Sequence, residues 1–180
     1  MSNTAKKVAV IIDHSNFRHM WQELRSLHEY KQVNYTKLVN LLVFPDVAFY
    51  KVVFLNRAVA GDALCRFFDK NGYETLEKKA KRIYDTRTGV SYKCNLDVDI
   101  AIVVMQMIFD REMYNQRPDK IIIVSGDSDF EGLGHVIIDY KMEVQFAFFG
   151  TGFAKELREK FNCRVIDKMS IYDKAWRKQA

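Results

Sequence analysis

Ile121-Ile122-Ile123-Val124-Ser125-Gly126-Asp127-Ser128-Asp129-Phe130 is the stretch that decides the fold. Four consecutive branched apolar residues with no polar alternate are the pattern of a strand covered on both faces, as strands of a parallel sheet are. The run breaks at Ser125-Gly126 into a turn carrying two aspartates, and Leu133, Val136 and Ile137 then recur at helical spacing. In open parallel sheets ligands bind beyond the carboxyl ends of the strands, so the same stretch also names a candidate site.

Working outward, Val8 to Ile12 is a second continuous apolar run, and it ends at Asp13-His14-Ser15-Asn16. Phe17, Met20, Trp21, Leu24 and Leu27 then mark a helix, and Leu38, Leu41 and Leu42 a second one after Asn34. Pro45 and Asp46 break the chain before a strand over Val47 to Leu55. Ala63, Leu64, Phe67 and Phe68 predict a helix that stops near Asn71 and Gly72. Tyr73 to Lys93 reads as a short strand followed by a basic loop around Thr88 and Gly89. Val98 to Phe109, apolar nearly all round and long for a strand, reads as a buried helix. Past Val124 come a strand from Val144 to Phe149, a helix over Ala154 to Phe161, a short strand at Arg164 to Ile166 and a final helix. This β-then-α rhythm implies right-handed crossovers and a parallel sheet.

With two prolines, eight glycines and no repeat, nothing divides residues 1–180, and a chain of that length fits one domain with a sufficient core. Cys65, Cys94 and Cys163 are an odd number at no metal-ligand spacing, which argues for a reducing compartment and against a zinc site. The first residues are polar, and the apolar runs fall short of the roughly 20 residues a membrane helix needs, so the expected location is cytoplasmic. The net charge of +5 decides little by itself.

The placement of charge says more. Asp13 and Asp127 follow separate strands, and Asp97 and Asp99 open the long apolar helix. Residues two apart on a helix point roughly 200° from one another, so one of the pair faces the sheet; Asp99 is assigned to the site, with Asp97 as a cap, supporting group or alternative ligand. Aspartate and asparagine after a strand also cap the next helix, which suits Asp13 or Asn16 taken singly and is the favoured role of Asp129. Together, Asp13, Asp99, Asp127 and Asp129 would repel one another and raise their own pKa values unless a cation intervened. Mg²⁺ or Mn²⁺ prefers carboxylate and water ligation and activates water toward phosphoryl centres.

At these residues the chain resembles the NYN domain family, a branch of the PIN-like metal-dependent ribonucleases, over nearly its whole length. The marks are Ile11-Ile12-Asp13-His14-Ser15-Asn16, Val98-Asp99-Ile100, and above all Val124-Ser125-Gly126-Asp127-Ser128-Asp129-Phe130. The resemblance implies a Rossmann-like three-layer α/β sandwich around a mainly parallel sheet of five to six strands, and Mg²⁺- or Mn²⁺-dependent endonucleolytic hydrolysis of RNA. It implies Asp13, Asp99 and Asp127 as metal ligands, Asn16 orienting a ligand or water, Asp129 completing the acidic pocket and Ser125 supporting its loop. The sequence departs from the family where glycine usually follows the first aspartate, here His14, and where many members carry a further acid, here Met105. A catalytically degenerate module that binds RNA or protein is therefore the alternative. A haloacid-dehalogenase-like site would need an aspartate at Ser15, and a metal-dependent adhesion site a serine at Phe17. A Toprim nuclease shares the paired aspartates but needs a first glutamate that finds no counterpart.

Lys78, Lys79, Lys81, Arg82, Arg87 and Lys93, interleaved with Tyr84 and Tyr92, crowd the segment before Asp97 and suit an RNA path. Cations would hold phosphates and tyrosines would stack on bases; an ordinary solvated hairpin is the plainer reading. Lys155, Arg158, Lys160 and Arg164 read as a solvated helix face, and His14 as a packed residue or a phosphate contact. The stretch with Ile171, Ala175 and Trp176 packs on the sheet or on a second copy in a homodimer, and sequence leaves both open.

Overall fold

The computed structural model describes residues 5–27, 32–79, 81–85, 89–93, 96–109, 116–166 and 172–173. Strand β1 (Lys7–Asp13) leads into α1 (His14–Leu27), a short β2 (Gln32–Val33) and α2 (Tyr35–Val43). The strand β3 (Val47–Leu55), the helices α3 (Arg57–Ala60) and α4 (Asp62–Lys70) and the strand β4 (Glu74–Glu77) follow. Next come β5 (Lys81–Asp85), β6 (Gly89–Lys93), α5 (Asp97–Phe109) and β7 (Lys120–Val124). Beyond a single 3-10 turn over Ser128–Phe130 lie α6 (Glu131–Asp139), β8 (Glu143–Phe148), α7 (Lys155–Lys160), β9 (Asn162–Val165) and β10 (Tyr172–Asp173).

Six strands form one sheet in the order β4-β3-β1-β7-β8-β9, every pairing parallel. The chain builds outward from β1 to β4, crosses back through α5, and builds the other way from β7 to β9. The direction reverses between β1 and β7, and their carboxyl ends splay around the crevice where such sheets bind ligands. Val8 to Ile12 and Ile121 to Val124 are fully buried, as continuous apolar strands in mid-sheet must be.

Local signals set several boundaries. Asn34 caps α2 by accepting the Lys37 N–H at 2.9 Å, and Gly72 turns the chain after α4 with φ +70°. Four expectations change. The segment read as a basic loop is an antiparallel hairpin, with β5 and β6 paired from Lys81 opposite Lys93 to Asp85 opposite Gly89. Helix α5 is not buried all round: Ile100, Val104 and Met107 pack inward while Val98, Ile102 and Phe109 stay exposed, because a helix on one side of a sheet covers it with one face. The last sheet strand runs Asn162–Val165, two residues ahead of its expected start. Tyr172–Asp173, within the segment read as a final helix, pair antiparallel with Gln32–Val33; the rest of that segment, with Ile171, Ala175 and Trp176, lies outside the described residues. No helix among the described residues is long and apolar enough to cross a membrane.

Candidate active site

The carboxyl ends of β1 and β7 open into a cavity of about 450 Å³ whose acidic lining is Asp13, Asp97, Asp127 and Asp129. Ser15, Asn16 and His19 line it from α1, and Met20, Leu96 and Phe148 give it apolar walls.

Asp13 ends β1 and is 4% exposed. Its Oδ1 accepts the Asn16 N–H at 3.1 Å, so it caps α1 while facing the cavity. Burial, reinforced by the charges of Asp97 and Asp127, pushes its carboxyl up to about 6 against the opposing backbone hydrogen bonds. Asp127 repeats the device on β7: its Oδ1 accepts the Asp129 N–H at 3.1 Å, and its own N–H donates to the buried Ser125 Oγ at 3.4 Å. Capping of this turn therefore falls to Asp127, and Asp129 stands inside it, exposed on the cavity rim. Phe130, 1% exposed, anchors the turn in the core, a burial worth about 2–3 kcal/mol.

Gly126 makes that turn fit. Its carbonyl accepts the Ala154 N–H at 2.9 Å, and a Cβ there would stand 2.3 Å from both the Gly152 carbonyl oxygen and Phe148 Cδ1. Two loops thus pass at a separation only glycine permits, and Asp127 rides on one of them.

On α5 the cavity receives Asp97 and not Asp99. Asp99 turns aside to an ion pair with Lys78, at the end of β4. The two do point apart, as the helical spacing requires, but the helix is rotated opposite to the sequence assignment: Asp97 shares the inward stripe of Ile100 and Val104.

Of the two readings of His14 the structure selects the packed one, and a supporting role beside Asp13 in the cavity falls away. His14 is 3% exposed and packs against the rings of Tyr35 and Phe68, at centroid distances of 6.1 and 6.3 Å, outside the cavity. Burial, with Arg18 as the lesser cause, pushes its imidazole down to about 4, so it is neutral at pH 7. The unfolded chain protonates His14 near 6.5, so the native state binds fewer protons between pH 6.5 and 4, and stability is lost as pH falls through that window. His14→Leu should therefore be better off relative to wild type at pH 5 than at pH 8 by about 2 kcal/mol, read from urea melts at the two pH values. An equal difference at both would show that the imidazole titrates normally. The imidazole that does line the cavity is His19, which sequence reading passed over; its signal was the spacing of four from Ser15, which puts both on one face of α1.

The proposed nucleic-acid residues gather only in part. Lys78 and Lys79 follow β4, with Lys79 exposed. Lys81, Arg82 and Tyr84 lie on β5, and Tyr92 and Lys93 on β6, so the pairing brings Lys81 opposite Lys93 and Arg82 opposite Tyr92 at the hairpin base. Arg87 lies outside the described residues. The second basic group is largely engaged: Arg158 donates to the Gly150 carbonyl, Lys160 pairs with Glu131 at 2.5 Å, and Arg164 donates to the Leu42 carbonyl at 3.2 Å.

Carboxylates, a hydroxyl and an amide are hard oxygen donors suited to Mg²⁺ or Mn²⁺. Among the described residues no three His, Cys, Asp or Glu side chains converge closely enough to hold an ion by themselves. The donor set thus fits a partly hydrated ion on one or two carboxylates, the usual state of Mg²⁺, and not a closed protein cage.

An acidic cavity at the switch point of a doubly wound α/β fold is a place where such folds bind ligands. The chain belongs to the NYN domain family, whose model matches residues 7–170, and thus has the PIN-like fold. No curated protein matches the sequence. A crystal structure of a protein of unknown function from Vibrio parahaemolyticus matches with a TM-score of 0.69 at 20% identity, over 93% of this chain and 97% of that one. That likeness shows the fold alone.

Proposed function

We propose that the protein is a metal-dependent endoribonuclease. The observation that carries the reading is the convergence of Asp13, Asp97 and Asp127, from three separate elements, on one cavity at the switch point, with Asp13 raised to about 6. At neutral pH such an acid is mostly ionised at a cost to the fold that a bound cation would offset, and carboxylates so crowded cost stability that a cap alone does not require. A bound Mg²⁺ or Mn²⁺ would supply an activated water and stabilise charge on the phosphoryl group. One or two of Asp13, Asp97 and Asp127 would ligate it directly and the remaining carboxylates would act through its waters, with Asp129 facing them from the rim. Ser15, Asn16 and His19 offer hydrogen bonds along the α1 wall to phosphate oxygens or to the attacking water. The β5–β6 hairpin precedes α5 in the chain, and the cations of its sequence suit an RNA backbone. The cell compartment that suits the thiols and the substrate is the cytoplasm.

The test is end-labelled mixed RNA incubated with wild type and Asp127→Asn in Mg²⁺, Mn²⁺ and EDTA. Cleavage by wild type alone, abolished by EDTA, is expected. Absence of cleavage from folded protein, with RNA binding that is salt-sensitive and independent of metal, would replace this reading with the degenerate binding module.

Asp97→Asn should lower cleavage by about 100-fold, as loss of a charge aimed at the reacting centre does. Asp99→Asn, which breaks an exposed ion pair, should stay within about threefold of wild type. Equal losses in the two variants would return Asp99 to the site.

A further inference from the structure

At the opposite edge of the sheet, where Lys6 leads into β1, Asp119 into β7 and Glu143 opens β8, lies a second cavity of about 340 Å³. The length of the central strands separates it from the acidic cavity: β7 alone has five residues at roughly 3.3 Å each. Arg117, Tyr140 and Lys141 also line it.

Three observations point to an anion. Arg117 Nε is buried and has no hydrogen-bond partner, which leaves a guanidinium donor unsatisfied beside a cavity large enough for a ligand group. The carboxylates sharing the cavity are already engaged: Glu143 takes the Lys6 ammonium, and Asp119 Oδ2 accepts the Lys7 backbone N–H at 2.8 Å. The third is the end of α6. Met142 N–H donates to the Ile137 carbonyl at 3.2 Å and Lys141 N–H to the Ile138 carbonyl at 2.8 Å, a helix-ending motif whose left-handed position glycine usually fills. Lys141 holds it at φ 59°, the sole positive φ outside glycine among the described residues. The left-handed position is thus held by a cationic residue that lines the cavity, where glycine would present no side chain.

We propose that this cavity binds the phosphate group of a small molecule, through a guanidinium contact from Arg117 and the charge of Lys141. Tyr140 closes one side, its ring held edge-on by Phe109 at 4.7 Å. The site stands independently of the nuclease reading, since its ligand would lie at the far pole from the acidic cavity.

The test measures binding of inorganic phosphate and of 5′-AMP by calorimetry, at constant ionic strength, to wild type, Arg117→Met, Lys141→Gly and the surface control Lys155→Met. Wild type and the control should bind at least one probe with a Kd of about 1 mM or tighter. The two probes separate free phosphate from a phosphomonoester. Arg117→Met and Lys141→Gly should each bind about tenfold more weakly, the loss of a charge-assisted contact. Without ligand Lys141→Gly should melt about 2 °C above wild type, because glycine relieves the left-handed backbone, so its weaker binding would not reflect a damaged fold. No wild-type binding at about 10 mM of either probe, or binding unchanged in both variants, overturns the proposal. A short single-stranded RNA is titrated as a third probe, and a loss in the two variants confined to it also overturns the proposal, since the cavity would then be part of a polymer path.

Discussion

Asp13→Asn should abolish metal-dependent cleavage and at the same time melt higher than wild type. Both follow from one carboxyl group, buried at the end of β1 and raised to about 6 by burial and by the charges of Asp97 and Asp127. In the unfolded chain that group ionises near 3.8, so between pH 3.8 and 6 the native state holds the extra proton and stability falls as pH rises. Above pH 6 the ionised Asp13 costs the fold about 3 kcal/mol, at 1.36 kcal/mol per pKa unit. Asparagine keeps the size and the acceptor that caps α1 but carries no charge. The variant should gain about 2–3 kcal/mol at pH 7.5, the gain shrinking to nothing below pH 4, and lose at least about 100-fold in cleavage. Wild type in turn should be stabilised by added Mg²⁺, with an apparent affinity that weakens below pH 6 as protons compete, and the variant should not respond. Urea melts at pH 4 and 7.5, with and without Mg²⁺, check all of this. A variant less stable than wild type at pH 7.5 would mean that Asp13 is a structural cap and no more.

The opposed slopes of neighbouring residues sharpen the test. His14 destabilises the fold as pH falls through 6.5 to 4, whereas Asp13 destabilises it as pH rises through nearly the same range. Side by side they largely cancel, so wild type should show a flat stability profile there and Asp13→Asn should unmask the acid sensitivity of His14.

Why one of these neighbours was legible in the sequence and the other was not is a matter of side-chain direction. Strands β1 and β7 could be read because buried parallel strands are continuous apolar runs, and the first polar residues after such a run fall at the sheet's carboxyl edge, which places Asp13 and Asp127. Past that edge the chain enters a helix, and adjacent residues diverge by about 100°. Asp13 faces the cavity and His14 the aromatic cluster behind it, a division that depends on how α1 docks. The exchange of Asp97 for Asp99 has the same origin. In most helices the polar face fixes the rotation, but α5 has nearly all its residues apolar, and only packing against the sheet shows that Ile100 and Val104 point inward and carry Asp97 with them. The strands of the hairpin β5–β6 pair with each other and not with the main sheet, and they lack the continuous apolar runs by which its central strands were read.

Gly126→Ala should nearly match the loss of an aspartate although it removes no functional group. The added methyl carbon would meet the Gly152 carbonyl oxygen and the Phe148 ring at 2.3 Å, and neither can yield easily, one being backbone and the other a buried ring in β8. The loop of residues 125–127 must then withdraw, straining the hydrogen bond from Ala154 N–H to the Gly126 carbonyl and the Ser125 and Asp129 contacts that orient Asp127. Overpacking of this kind costs about 1–3 kcal/mol, and a displacement near 1 Å at a catalytic group costs about 100-fold in rate. Gly132→Ala is the control, on the same stretch but inside α6, where a Cβ meets nothing within 4 Å and alanine should stabilise the helix by about 0.5–1 kcal/mol. Circular dichroism, melting temperature and cleavage rate on the pair separate the effects. Gly126→Ala should remain folded at 25 °C, melt several degrees lower and cleave about 100-fold more slowly, while Gly132→Ala melts slightly higher at full rate. Full activity in Gly126→Ala would show that Asp127 holds its place without the close passage of the two loops.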